Sequence, residues 1–430
     1  MTLHNNTFSL LDLKRNADKI QIFDESMIDD DGNIIPFVDQ VALVTHYLQL
    51  KDSGVSIPYA QKAQDILDSW TEFITKTKNI SPSNSVSESN GTYQQYLFPD
   101  LFQSIFPAQE PHKFTFIDLF AGIGGFRMAL QNLGGKCVFS SEWDDHAKKT
   151  YFNNFGEIPF GDITKESTKS LIPKKFDVLC AGFPCQAFSI AGYRKGFDDT
   201  RGTLFFDVAE IIKRHRPKAV FLENVKNLKS HDKGNTFDVI KKTLEDLNYV
   251  VYDKVMNAMD YANIPQNRER IFIICFDLDQ VDNHDQFEFP EKVDLTQTIH
   301  DCIDANENSP RFFYTEKMNH FEELKNSIVS KDTIYQWRRV YVRENKSAVC
   351  PTLTANMGTG GHNVPLILTD KGIRKLSPKE CLNFQGFPKN YTFPSDIPVS
   401  SCYKQAGNSV VVPLIQKVCQ RLCTIILNRS

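Results

Sequence analysis

The chain has 430 residues, 41% of them hydrophobic and 24% charged, a balance that excludes wholly disordered, collagenous and coiled-coil proteins and leaves room for two or three domains. Its formal net charge of -4 argues mildly against a nucleic-acid partner, although a global sum hides local patches. The most continuous apolar run in an expected strand, Ile271 to Phe276, is far short of a membrane span, and the N-terminus lacks the apolar core of a signal peptide, so the expected location is cytoplasmic, away from a membrane.

In the N-terminal block, Ala60, Ala63, Ile66, Leu67, Trp70, Phe73 and Ile74 recur at helical spacing. Pro58 precedes the run, where proline suits a helix start, and Val38, Ala42 and Leu48 mark a second helix. Residues 1–78 therefore read as a helical extension without a chemistry-bearing motif. Residues 79–112 read as a linker that begins with the Ser- and Asn-rich stretch Asn79 to Thr92.

From Lys113 the texture changes. The apolar runs FTFIDLF, KCVFSS, FDVLCAGF, KAVFLENV and RIFIICF alternate with helical segments, which predicts an α/β domain over 113–276 with a parallel sheet and helical crossovers. The rhythm is lost over 277–368, which opens with the acidic stretch Asp277 to Asp294 and later carries Arg338, Arg339, Arg343 and Lys346. Residues 369–430 return to regular patterning and end in an apolar helix after Pro413. The ten cysteines are scattered without a CxxC pair, so neither a zinc site nor a disulfide scaffold is indicated, and no metal is expected.

Two segments carry chemistry. The first is FIDLFAGIGGF, a strand followed by Gly122, Gly124 and Gly125, which allow a tight turn and close approach of a ligand. Glu142 ends the next expected strand, at the distance where a carboxylate accepts from ribose hydroxyls. Trp143 beside it offers a flat face to an adenine, and Asp162 is placed to accept from an adenine amino group. The glycines alone also fit an ordinary strand–helix turn. Because the turn departs from G-x-G-x-x-G, a nucleoside without pyrophosphate, such as S-adenosylmethionine, fits better than a dinucleotide.

The second is FDVLCAGFPCQAFS, in which Cys185 stands at the carboxyl end of a strand, where open α/β sheets place ligands. The Gly- and charge-rich stretch Ile190 to Thr203 follows it and reads as a mobile loop. Cys180, inside the strand, is the better candidate for inert packing. Glu223, in FLENV, comes to the same sheet edge, either as a helix cap or as a group that protonates a substrate ring. Arg268 and Arg270 of QNRER are either solvated charges or stabilisers of a ring carbonyl, a phosphate or the Cys185 thiolate.

Taken together, FIDLFAGIGG, SSEWD, GDI, GFPCQAFS, RGTLFF, ENV, QNRERIF, RKLSPKECLNFQGFP and QAGNSVVVP follow in an order that resembles the DNA (cytosine-5) methyltransferase family of bacterial restriction-modification systems. The resemblance spans about Lys113 to Asn428. It implies a Rossmann-like S-adenosylmethionine-dependent sheet domain, a smaller target-recognition domain over 277–368, and a C-terminal segment, 369–430, that returns to the catalytic domain. It also implies attack of Cys185 on C6 of a flipped-out cytosine, with Glu223 on the ring and Arg270, with Arg268, on the O2 and phosphate side. Phe120, Gly122, Gly124, Glu142, Trp143, Asp162, Ile163, Pro184, Asn408 and Ser409 would hold the cofactor, the last two beside Gln405 in the family's C-terminal motif. Ser189, Arg338, Arg339, Arg343 and Thr352 would touch double-stranded DNA, Thr352 with Leu353 forming the Thr-Leu pair that ends the recognition region. The implied partner in function, without direct contact, is a cognate restriction endonuclease, and the expected state is a monomer. The target is expected to be a short, G·C-rich palindrome.

Three other readings compete. A nicotinamide-dependent oxidoreductase accounts for the glycines and Glu142 but not for Pro-Cys-Gln, Glu-Asn-Val and the paired arginines. A tRNA cytosine-5 methyltransferase shares most of the motifs. A non-catalytic DNA-binding relative would be expected to have lost Cys185 or Glu223, and both are present.

Overall fold

The computed structural model describes residues 35–78, 97–184, 204–318, 320–338, 341–359 and 363–428. The chain divides into two compact units, one of residues 1–107 and 138–175, the other of 108–137 and 176–430.

In the first unit, helices Phe37–Leu50 and Ala60–Lys78 pack against each other. Of the apolar positions read at helical spacing, Ala42, Ala63, Ile66, Leu67, Trp70 and Ile74 are buried, while Leu48 and Phe73 are half-buried and Val38 is exposed. The helical extension is bonded to the later segment of its own unit. Gln49 Nε2 donates to the carbonyl of Phe155 (2.8 Å), and the amide of Ile158 donates to Thr45 Oγ1 (3.2 Å). Helix Asp145–Phe155 starts at Asp144, whose carboxylate accepts from the Ala147 amide, and stops at Gly156, whose positive φ of 68° ends it.

The strands are β1 (Phe114–Leu119), β2 (Gly135–Ser141), β3 (Val178–Ala181), β4 (Ala219–Val225), β5 (Tyr249–Asn257), β6 (Gln266–Asn267), β7 (Glu269–Asp277), β8 (Tyr335–Trp337), β9 (Val342–Glu344), β10 (Cys350–Pro351), β11 (Leu366–Thr369) and β12 (Gly372–Lys375). In the second unit β1, β3, β4, β7 and β5 lie side by side in that order. β1, β3 and β4 pair in parallel, with Asp118 opposite Cys180 and Cys180 opposite Phe221. Their near-continuous burial is what strands covered on both faces require. The expectation of a wholly parallel sheet needs correction: β7 runs antiparallel to both β4 and β5. The segment between β5 and β7 holds only the short helix Ala258–Tyr261 and the two residues of β6, too little for a crossover.

A smaller antiparallel sheet, ordered β12-β11-β8-β9, stands on its own core of Leu324, Ile328, Tyr335, Leu366 and Ile373. The expected recognition-region boundary at 368 falls inside β11, and β12 belongs to the same sheet. Helices Pro378–Phe384, Val399–Asn408 and Val412–Leu427 close the chain. The stretch 399–427 is long and apolar enough to cross a membrane, but it breaks between Asn408 and Val412, and 61% of its most apolar window is buried within the protein.

The RKLSPKE segment acquires a physical reason. Arg374, on β12, and Glu380 are both fully buried and form a two-pronged ion pair, Nη1–Oε2 and Nη2–Oε1 each at 2.7 Å. Glu380 also accepts from the amides of Asp304 (2.8 Å) and Ser377 (2.7 Å), the second closing a capping box that starts helix Pro378–Phe384. One carboxylate thereby ties the small sheet to the C-terminal segment. Glu380→Ala strands the buried guanidinium and is expected to lower unfolding free energy by about 3 to 5 kcal/mol. Chemical denaturation measures it, and an unchanged midpoint would contradict the tie.

Candidate active site

Glu223 is the fifth residue of β4, and the β4–β7 register sets Val225 opposite Arg270. This brings Arg270 Nε to 3.0 Å from Glu223 Oε1, with both side chains slightly open to solvent. The pair is charge-balanced yet reachable, which suits a carboxyl that must handle a proton on a ligand.

The turn after β3 lies at the same edge. A side chain on Gly182 would meet the Glu223 carboxylate at 3.8 Å and Phe126 at 3.6 Å. Asn224, the residue after Glu223, is buried and donates from Nδ2 to the carbonyl of Phe183 at 2.9 Å. That bond holds the backbone immediately before Pro184, which is exposed. Sequence reasoning read Asn224 only as part of a strand end. Its position between a chemical carboxylate and a buried turn is the signal that would have singled it out. Cys185 and Ser189 lie outside the described residues. The other nine cysteines are buried, and burial, with Asp118 nearby, pushes the Cys180 thiol well above its ordinary range, as expected of an inert packing residue.

The QNRER segment alternates as a strand should. Gln266, Arg268 and Arg270 turn inward, while Asn267 is exposed. Gln266 Nε2 donates to the carbonyl of Phe384 (2.7 Å), and its Oε1 accepts from the Leu353 amide (3.2 Å). β6 pairs in parallel with β10, which leads into Thr352 and Leu353. Arg268 is 3% exposed. Its Nη1 donates to the carbonyl of Leu353 (2.7 Å), and its Nη2 to those of Ser409 (2.6 Å) and Gly407 (3.3 Å). Burial, with the like charge of Arg270 adding and Glu223 opposing, lowers its pKa to about 9, so it stays charged at neutral pH. Of the two arginines, Arg270 faces Glu223 and Arg268 fastens two segments of backbone.

The glycine turn has the conformation that the sequence demands. Phe120, Gly122 and Gly124 have φ of 55°, 56° and 78°, and helix Gly125–Gln131 comes next. A Cβ on Gly125 would come within 2.6 Å of Val410 and 3.2 Å of Ser409. Only glycine therefore lets the QAGNSVVVP segment lie against this turn. Asn408 is exposed at the end of its helix and Ser409 half-buried. Within the second unit, Ser409 and Val410 lie against the glycine turn.

In the first unit, Glu142 Oε1 accepts from the amides of Trp143 (2.9 Å) and Asp144 (2.8 Å). Trp143 is 81% exposed. Asp162 Oδ1 accepts from the amide (3.0 Å) and hydroxyl (2.9 Å) of Thr164, and Ile163 is buried.

A polar cavity of about 430 Å³ opens between the small sheet and the arginine arm. Arg338, Arg343 and Thr352 line it, together with Lys226, Gln336, Asn267 and Asn363, which sequence reasoning did not single out. The Thr352 hydroxyl donates to the carbonyl of Asn267 (2.7 Å), and Arg338 Nη2 to Gln336 Oε1 (2.9 Å). Arg339 lies outside the described residues.

Comparison with known proteins places this geometry. The C-5 cytosine-specific DNA methylase family matches residues 114–424. The type II methyltransferase M.HpaII of Haemophilus parainfluenzae is 49% identical over 358 residues, covering 79% of this chain and 96% of that protein. M.HhaI of Haemophilus parahaemolyticus is 44% identical over 319 residues, covering 70% and 92%. Among solved structures, the Dnmt2 methyltransferase of S. pombe is similar with a TM-score of 0.54 at 16% identity, over 72% of this chain and 98% of that one. A putative DNA modification methyltransferase encoded within an E. coli prophage is similar with a TM-score of 0.52 at 20% identity, over 73% and 100%. These structures support the fold.

If Arg268 is the fastening described, Arg268→Met leaves the Leu353, Gly407 and Ser409 carbonyls unsatisfied and lowers stability by about 3 kcal/mol or more. Hydrogen exchange should rise around Leu353 and Ser409. Protection equal to the wild type would rule this role out.

Proposed function

Since the chain belongs to the C-5 cytosine-specific DNA methylase family, we propose that it transfers a methyl group from S-adenosylmethionine to C5 of one cytosine in a short duplex DNA sequence, protecting that sequence from a cognate restriction endonuclease. The observation that carries this reading is the Glu223–Arg270 pair beside the Phe183–Pro184 turn that Asn224 holds. This reading is supported by a nearly buried carboxyl and cation close to Gly182, in the turn that leads to Cys185.

The residues present suit the methyl donor. The Glu142 carboxylate is fixed by two main-chain amides, so little ordering is needed when ribose hydroxyls bind. The exposed Trp143 face suits an adenine, and Asp162 its amino group. Phe120, Gly122 and Gly124 supply a turn free of bulk, with Ile163, Pro184, Asn408 and Ser409 completing the set. S-adenosylmethionine supplies an electrophilic methyl group to the C5 carbon.

C5 of cytosine is stacked inside a duplex, so the base must leave the helix. The Cys185 thiolate adds to C6, forming a C–S bond and moving the ring electrons toward C5. Glu223 holds the proton at N3 and accepts from the exocyclic amine, so no full charge builds on the ring. Arg270 balances Glu223 and binds at the O2 and phosphate side, while Arg268 keeps the arm in position. Once C5 carries the methyl group, its proton passes to water, and the electron pair it leaves restores the C5–C6 double bond and expels the Cys185 thiolate.

Arg338 and Arg343 give the polar cavity cations that phosphates and guanine edges select, while Lys226 is paired there with Glu269. Ser189, Arg339 and Thr352 complete the DNA contacts. On this reading the enzyme works as a monomer in the bacterial cytoplasm and meets the endonuclease only through their shared sequence.

Labelled methyl incorporation into duplex DNA tests the mechanism. Cys185→Ala should abolish transfer while leaving cofactor binding intact. Asn224→Ala should lower kcat by about tenfold or more, because the nucleophile's turn loses its anchor. Wild-type-like transfer by Cys185→Ala, or label entering tRNA and not DNA, would overturn the assignment.

A further inference from the structure

The helical extension carries a buried polar cluster that the proposed chemistry does not use. His46, on helix Phe37–Leu50, is fully buried. Its Nδ1 donates to the carbonyl of Ala42 (2.9 Å). Its Nε2 lies 3.1 Å from Glu157 Oε1 and 3.2 Å from Ser140 Oγ, and the Ser140 hydroxyl donates to Glu157 (2.9 Å). Glu157 and Ser140 are also fully buried.

A histidine committed to this cluster has a fixed ring, and that ring stacks on Phe160 with centroids 4.1 Å apart and planes at 23°. Phe160 stacks in turn on Phe139 (5.1 Å) and meets Tyr59 edge-on (5.4 Å). The backbone of Phe160 is the part that bears on function. Its amide donates to the carbonyl of Ser140, and its carbonyl accepts from the amide of Glu142, both at 2.9 Å. Asp162 comes two residues later. Thr45, next to His46, accepts from the Ile158 amide in the same loop. One helix of the extension therefore grips the 157–160 segment at three points: the Glu157 side chain, the Ile158 amide and the Phe160 ring.

We infer that this helix is part of the cofactor-binding machinery, with His46 a positioning residue that sets Glu142 and Asp162 through Phe160. The inference rests on the reading of those two carboxylates as the ones that hold the methyl donor. Physically, Glu142 is oriented by main-chain amides whose own placement depends on Phe160. A loose Phe160 lets the carboxylate drift, and a shift of about 1 Å at a binding group is enough to cost affinity. The extension then serves the donor side of the reaction and leaves the DNA side to the small sheet.

The test is S-adenosylmethionine binding by calorimetry, together with KM and kcat for methyl transfer to duplex DNA, on the full chain. His46→Ala should raise the dissociation constant and KM for S-adenosylmethionine by about tenfold, with kcat at saturating donor within about twofold and DNA affinity unchanged. Thr45→Val, which removes only a hydroxyl, should move the same constants in the same direction by less and carries the test if His46→Ala fails to fold. A folded variant with wild-type donor affinity overturns the inference, and so does an equal loss in kcat and DNA affinity. Lack of S-adenosylmethionine binding by the wild-type chain instead overturns the cofactor reading, and this inference with it.

Discussion

A buried guanidinium must find acceptors for its donors or leave its charge in an apolar interior. Arg268 meets this at both Nη atoms, though not at Nε, with backbone carbonyls from two distant parts of the chain, Leu353 on one side and Gly407 with Ser409 on the other. That arrangement sets the second unit's working parts in order. Leu353 follows the short strand β10. Gly407 and Ser409 lie in the segment that returns to the glycine turn. Arg268 itself is two residues from Arg270, which faces Glu223. A Cβ on Gly407 would sit 2.2 Å from the Thr354 backbone, so the two segments meet as closely as glycine allows. The segment that carries Arg268 and Arg270 is thus tied to both the Thr352–Leu353 turn and the Gly407–Ser409 segment.

The polar pairs are allotted by burial. Arg374–Glu380 and His46–Glu157 are closed to water and hold segments together. Glu223–Arg270 keeps some exposure, and Arg338 and Arg343 line an open cavity with Lys226. The net charge of -4 says little about this, because a global sum does not show where charges are placed.

Much of the site was legible in the sequence because each motif marks a turn that only certain residues permit. Gly122 and Gly124 after β1 take positive φ, and Gly125 lies against Val410. Glu142 and Glu223 end apolar runs, and strand ends are where ligands bind in such sheets. The direction of β7 was not legible, since an apolar run has the same pattern either way and only the short connection from β5 reveals it. The different duties of Arg268 and Arg270 were hidden too, because both face inward and only their partners separate them. His46 sat unnoticed on an apolar helix face, its meaning supplied by Glu157 and Phe160 more than a hundred residues later. Asn224 was visible as a letter in a strand but not as the anchor of the turn before Cys185.

The central claim is sequence-specific methylation of cytosine C5 in duplex DNA. The most direct measurement is bisulfite sequencing of DNA from a host carrying the gene, with a Cys185→Ala gene as control. The account predicts that one cytosine in every copy of one short motif resists conversion with the intact gene and converts with the control. Complete conversion in both, or protection unrelated to any shared sequence, would contradict it.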